Sequence, residues 1–154
     1  MHFQAIPSQD AHNLRSGAPD AHGNPAERSI SDGHANPCRY CLCDIPKGAG
    51  MLILAYKPFT ANHAYAETGP IFLCEADCAQ GGGADLPQIM TTSPDYLAKG
   101  YCKEERIVYG TGKVIPADQI IDGIKTIFHD PNVAFVHVRS SRNNCFQVRV
   151  SRTA

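Results

Sequence analysis

The chemistry in this chain starts with its cysteines. Cys38-Arg39-Tyr40-Cys41 has the two-residue spacer that lets both thiolates of a turn face one ion. Cys74-Glu75-Ala76-Asp77-Cys78 has a three-residue spacer, which on a helical turn would stack the two sulfurs as i and i+4. Together, Cys38, Cys41, Cys74 and Cys78 could complete a tetrahedral four-thiolate zinc site, with Zn–S near ~2.3 Å. Cys43 and His63 are the substitute ligands if either pair fails. Two other readings of the cysteines stand beside this one. Free cysteines are among the most buried residue types and could simply fill the core. Alternatively, Cys38 or Cys145 could be the fast-oxidising thiol of a redox sensor. Thioredoxin-like exchange needs a helix opening at its Cys pair, and Leu42-Cys43-Asp44-Ile45-Pro46 cannot start one.

A second set of reactive types gathers near the C-terminus. Past Asp130 there is no acid, and there are four arginines, Arg139, Arg142, Arg149 and Arg152. Val133-Ala134-Phe135-Val136-His137-Val138-Arg139 and Cys145-Phe146-Gln147-Val148-Arg149-Val150 alternate strictly, which predicts a β-hairpin. Val136, Val138, Phe146, Val148 and Val150 would share the inner face. The outer face would carry Phe135, His137, Arg139, Cys145, Gln147 and Arg149, and a symmetric tip sets Arg139 opposite Cys145 and His137 opposite Gln147. Arginine forks take carboxylate or phosphate, so a small anionic ligand suits this face. His137 could exchange a proton near neutral pH, and Cys145 beside Arg139 could act as a nucleophile. Tyr65, Glu67 and Thr68 stand at a strand entrance and could line the same cleft. The plainer reading is a sheet with one wet face.

The elements that must position these groups are short. Residues 2–6 predict a strand, and Asp10-Ala11-His12-Asn13-Leu14-Arg15 a weak helix closed by Gly17. Residues 17–37, rich in Gly, Pro, Asn, Ser, Asp and His, predict a long loop. Strands are expected at 51–56 and 71–73, and a short helix at 75–80 stopped by Gly81-Gly82-Gly83. That triple glycine is a connector, since no Lys-Ser/Thr follows it. Ser93-Pro94-Asp95 could cap a helix over 96–99. A hairpin running through Tyr101 and returning at Arg106-Ile107-Val108-Tyr109 is preferred, its strand bent at Gly110 and Gly112 and continuing to Ile115. Ile120, Ile121, Ile124, Ile127 and Phe128 recur on one helical face, predicting an amphipathic helix over 117–129. The fold class is therefore α+β: a mostly antiparallel sheet, a C-terminal β-hairpin, one main amphipathic helix and a cysteine-rich turn region.

Composition bounds what this can be. A chain of 154 residues, 43% of them hydrophobic, suits a single domain spanning 1–154, with 17–37 a loop within it. Lys plus Arg number 14 and Asp plus Glu 15, a formal net charge of -1, so no nucleic-acid or membrane partner is expected. The longest apolar run, Met51-Leu52-Ile53-Leu54-Ala55, is far below the ~18 residues of a membrane span. Seven cysteines cannot all pair internally, and no basic segment followed by an apolar one opens the chain. Reduced thiols in a cytoplasm are expected. No dinucleotide fingerprint, nucleophile elbow or paired-carboxylate pattern appears, so no nucleotide cofactor is expected and zinc is the cofactor the spacing offers.

Several strings are familiar together: Pro37-Cys38-Arg39-Tyr40-Cys41, Tyr65-Ala66-Glu67-Thr68-Gly69-Pro70-Ile71-Phe72, Ile107-Val108-Tyr109-Gly110-Thr111-Gly112, and Phe135-Val136-His137-Val138-Arg139 with Cys145-Phe146-Gln147. They resemble a bacterial family known as domain of unknown function 1203, and the likeness runs from the first strand to Val150. The resemblance implies a small, stand-alone, cytoplasmic bacterial protein and no particular activity. It marks Cys38, Arg39, Tyr65, Glu67, Thr68, His137, Arg139, Cys145 and Gln147 as motif residues. In the family as it is known, relatives need not carry Cys at positions 41 and 74, so a four-thiolate site is either an addition in this chain or no site at all. Two functions follow from these readings. One is a binding domain with structural zinc on Cys38, Cys41, Cys74 and Cys78. The other is an enzyme or small-anion binder, with Arg39, Tyr65, Glu67, Thr68, His137, Arg139 and Gln147 binding, and His137, Cys145 or Glu67 catalytic.

Overall fold

The computed structural model describes residues 1–153. The alternation along the C-terminal segment yields β8 (Phe135–Ser140) and β9 (Phe146–Ser151), an antiparallel pair. Val136, Val138, Val148 and Val150 bury one face of this pair against α2 (Ile120–Ile127). Ile120, Ile124 and Ile127 form the buried stripe of that helix, as the 3.6-residue period requires. A 3-10 turn at Ala117–Gln119 leads into it, so the expected helix is real but tighter at its start.

β6 (Asp95–Tyr101) pairs with β8 on one side and β7 (Lys113–Pro116) on the other. β1 (His2–Gln4) flanks β9, and β5 (Gly82–Gly83) flanks β1. The six-stranded antiparallel order is thus β5-β1-β9-β8-β6-β7. A second sheet packs β2 (Glu27–Ile30), β3 (Gly50–Tyr56) and β4 (Gly69–Cys74) side by side. Its core gathers Ala11 and Leu14 of α1 (Ser8–Arg15), Leu52, Leu54, Ile71, Leu73 and, from the large sheet, Phe146. The large sheet is therefore covered on both faces: α2 on one, the small sheet and α1 on the other. The architecture is α+β with mostly antiparallel sheets.

Four expectations need correction. The 75–80 segment is not helical, and its turn is shaped instead by Gly81, whose Cβ would collide with the Cys41 carbonyl. Residues 95–101 form a strand, but its partner is 113–116, and Ile107 contributes only a single bridge to Tyr101. The 17–37 stretch contains β2, a polar edge strand held by backbone pairing to β3 and so without apolar periodicity. The hairpin register also differs. His137 faces Arg149 and Arg139 faces Phe146, with an irregularity between Val138 and Arg139. That bulge turns Phe146 to the His137 side, where it joins the small-sheet core.

Candidate functional site

Cys38 begins a tight turn in which the Leu42 N–H donates to the Cys38 carbonyl at 3.0 Å and the Cys38 N–H to the Cys43 carbonyl at 3.0 Å. Leu42 takes a left-handed conformation (φ 58°) and anchors the turn by burying its side chain in the α2 core. A parallel bridge to Phe72 lays the turn along β4, whose last residue is Cys74. The Cys74 N–H donates to Cys38 Sγ at 3.3 Å, an interaction that favours a thiolate there. Cys78 returns from the following loop, where the Gly81 N–H donates to the Tyr40 carbonyl at 2.8 Å. As a result, the sulfurs of Cys38, Cys41, Cys74 and Cys78 lie within 4.8 Å of one another, with Cys41 and Cys74 at 4.0 Å.

A four-thiolate tetrahedron with ~2.3 Å bonds has sulfurs roughly 3.8 Å apart, so a closing-in of about 1 Å at most completes it. The cluster could hold a metal ion. Arg15, from the last turn of α1, donates through Nη2 to Cys78 Sγ at 3.0 Å and through Nε to the Cys74 carbonyl at 2.9 Å. Its charge offsets part of the excess negative charge that four thiolates around a divalent ion would carry. Without a cation the thiols share protons. Hydrogen bonds from Cys41 and Cys74 push the Cys38 thiol down, and those two donors are pushed up in consequence. Cys43 is exposed and outside the cluster, while His63 Nε2 lies 3.0 Å from the Glu104 carbonyl oxygen.

Arg39 is buried and spent on the backbone. Its Nε donates to the Phe146 carbonyl at 2.6 Å and its Nη1 to the Pro37 carbonyl. Burial lowers its pKa to about 10, which leaves it charged at neutral pH. Arg39, Cys145 and Gln147 line a small cavity of about 160 Å³ with Phe72, Tyr96 and Asn143. Cys145 Sγ sits 3.6 Å from the Asn143 carbonyl.

Glu67 meets cations on the far side of the hairpin. Lys99 Nζ donates to Oε1 at 2.7 Å and the Tyr101 hydroxyl to Oε2 at 2.8 Å. Arg139 Nη2 lies 2.9 Å from the same Oε2, out of line for a hydrogen bond, while its Nη1 donates to the Asn144 carbonyl at 3.0 Å. Burial works to raise the Glu67 pKa, but Lys99, Arg139 and Tyr101 outweigh it and hold the carboxyl below its usual range. Arg139 therefore has its counter-ion within the chain.

His137 is fully buried among Phe59, Tyr101, Phe135 and Phe146, with ring centroids 4.8 to 5.0 Å away. Among the described residues neither ring nitrogen has a hydrogen-bond partner. Desolvation first, then the charges of Arg139, Arg149 and Lys99, push its pKa well below the ordinary value, so the ring is neutral.

The residues expected to form one cleft are thus divided. Arg39 and Gln147 stand with Cys145 in the small cavity, Glu67 and Arg139 form the ion cluster, and His137 sits in the aromatic cage. Tyr65 is half-buried, its hydroxyl 3.2 Å from that of Tyr109, and exposed Thr68 makes no side-chain hydrogen bond among the described residues. The face expected to be wet is buried, because the small sheet and the 57–61 segment cover it. Sequence reasoning missed Arg15, Lys99, Tyr101 and Phe59. Strand alternation across 95–101 would have put Lys99 and Tyr101 on the face of His137 and Phe135, their cross-strand partners.

The sequence profile described as "Protein of unknown function (DUF1203)" matches residues 35–152. The chain belongs to this family. The matched region holds both cysteine pairs, Glu67 and the whole hairpin. It leaves out β1, α1 and β2, so the likeness begins later than the first strand, and Arg15 lies outside it. No curated protein and no solved structure matches the chain. Among the described residues, no helix is long and apolar enough to cross a membrane.

Proposed function

We propose that this member of the DUF1203 family is a zinc-stabilised binding domain of a reducing, cytoplasmic compartment, with a structural Zn²⁺ on Cys38, Cys41, Cys74 and Cys78. The observation that carries this reading is the convergence of those four sulfurs within 4.8 Å from two distant segments. Four soft thiolates that converge on one point suit zinc, and a shell closed by four protein ligands leaves no open position for a reacting water. The role is therefore structural: the ion ties the 38–43 turn to the end of β4 and the loop after it. A reducing compartment keeps such thiols available as ligands.

Elemental analysis of protein purified without chelator tests this. About one zinc per chain is expected, and a Cys38→Ala/Cys78→Ala double variant should lose it. Chelation should lower the midpoint of thermal unfolding. Native protein that is fully folded and metal-free overturns the reading, and visible thiolate-to-iron absorption would assign the site to iron instead.

A further inference from the structure

A cavity of about 550 Å³ opens between β1, the 56–60 segment and β9. Its size falls in the range of sites for small organic molecules. The wall carries Phe59, Phe146 and the neutral His137, the buried imidazole whose nitrogens lack partners. An unsatisfied polar group of that kind is costly unless something specific requires it there.

The charged groups around the cavity are unequal in what they have left to offer. Asp10 already accepts from the Tyr56 hydroxyl at 2.7 Å. Glu105 accepts the Thr60 and Ala61 N–H groups at 3.2 and 2.7 Å. Lys57 donates to the Ala61 carbonyl at 3.3 Å. Arg149 alone among these four makes no hydrogen bond to the described residues. Its guanidinium carbon lies 3.5 Å over the Phe135 ring, and its closest carboxylate oxygen, on Glu105, is 3.9 Å away. The ring holds the guanidinium in place without using its N–H donors, which remain for a ligand.

We propose that this cavity binds a small organic monocarboxylate with an aromatic or aliphatic body, its carboxylate held by Arg149 and its body against Phe59 and Phe146. The planar fork matches a carboxylate two bonds at a time. The flanking acids Asp10 and Glu105 disfavour a dianion such as phosphate, whose second charge would face them. The aromatic wall favours an apolar body over a bare anion. This site is separate from the cysteine cluster and does not rest on zinc.

The test titrates the full chain with cinnamate, with neutral cinnamamide and with inorganic phosphate, followed by calorimetry and amide NMR. Cinnamate should bind saturably and shift the signals of Gln4, Thr60 and Phe146. Cinnamamide should bind at least about tenfold more weakly, and phosphate should not displace cinnamate. Arg149→Gln should weaken cinnamate by at least about tenfold while its unfolding midpoint stays near that of the parent. No saturable cinnamate binding up to about 10 mM overturns the proposal. Equal binding of acid and amide overturns it too, as do shifts centred on Asn143 and Cys145 instead. Should Arg149→Gln fail to fold, the comparison of acid with amide on the parent chain decides alone.

Discussion

His137 makes acid stability a direct probe of the buried hairpin face. In the unfolded chain its imidazole titrates near the ordinary ~6.5. In the folded protein the ring is enclosed by four aromatic rings and feels the positive charges of Arg139 on its own strand and of Arg149 and Lys99 on the two flanking strands, with Glu67 committed to Arg139 and Lys99. Its folded pKa is depressed, so below the unfolded value the unfolded state binds one proton more than the folded state. The contribution is fully present above ~6.5 and is lost as pH falls, by about 1.4 kcal/mol per pH unit until the folded pKa is reached. Integrated from pH 7.5 to 5.5, the loss from this one residue is about 1.4 kcal/mol.

The assay is urea unfolding at those two pH values with zinc in constant excess, on the parent and on His137→Phe. Phenylalanine suits the aromatic cage and cannot titrate, so whatever it does to absolute stability, it should remove the slope. The carboxylates whose pKa values are lowered, Glu67 and Glu105 among them, destabilise the fold only at lower pH, below their unfolded values. Proton competition at the cysteines is common to both proteins and cancels in the difference. A parent that is as stable at pH 5.5 as at 7.5, or a variant that retains the parent's slope, would refute a neutral, desolvated His137.

Two other perturbations probe the interior. Glu67→Gln should cost about 2–3 kcal/mol in urea unfolding, less than a fully buried pair because Glu67 keeps some exposure, and pairing it with Arg139→Met should cost less than the sum of the single changes. Additive costs would show that the two charges are not coupled. Gly81→Ala should cost about 2 kcal/mol or more and weaken zinc retention, since its Cβ meets the Cys41 carbonyl and no flexible side chain can yield there. An alanine variant of parental stability and zinc content would show that the close approach is not needed.

What was legible in the sequence was what short-range periodicity encodes. The isoleucine stripe of α2 and the valine face of β8 and β9 follow from spacing alone, because one side of each is apolar and must be buried. The two cysteine pairs were legible as a metal-ligand pattern, although the second pair meets the first without the helix expected at 75–80. The hairpin's other face misled for a physical reason. His137, Arg139 and Gln147 read as solvent-facing, yet the small sheet and the Phe59 segment cover them; Arg139 is met by Glu67 and the Asn144 carbonyl, and the His137 ring by aromatic rings alone. Glu67 and Phe59, the covering partners, come from segments remote in sequence, beyond any local pattern. The bulge at Val138 was equally hidden, and it alone decides that Phe146 lines the aromatic cage rather than the valine core.

The cysteine turn and the large cavity are mechanically joined through Arg39 and its neighbours. The Arg39 carbonyl accepts the Ile6 N–H at 3.0 Å, and its guanidinium holds the Phe146 carbonyl at 2.6 Å. The next residue, Tyr40, accepts the Gly81 N–H, and Gln80 donates to the Ile6 carbonyl at 3.1 Å. Ile6, Gln80, Gly81 and Phe146 all line that cavity. A metal that fixes Cys38 and Cys41 therefore also fixes the residues between them, and with them one wall of the cavity. The cysteine turn and this wall of the cavity thus share one hydrogen-bonded framework, although the cavity itself contains no cysteine. Preorganised walls lower the ordering cost that a small ligand must meet on binding, so a metal at the cysteines would favour ligand binding in the cavity as well.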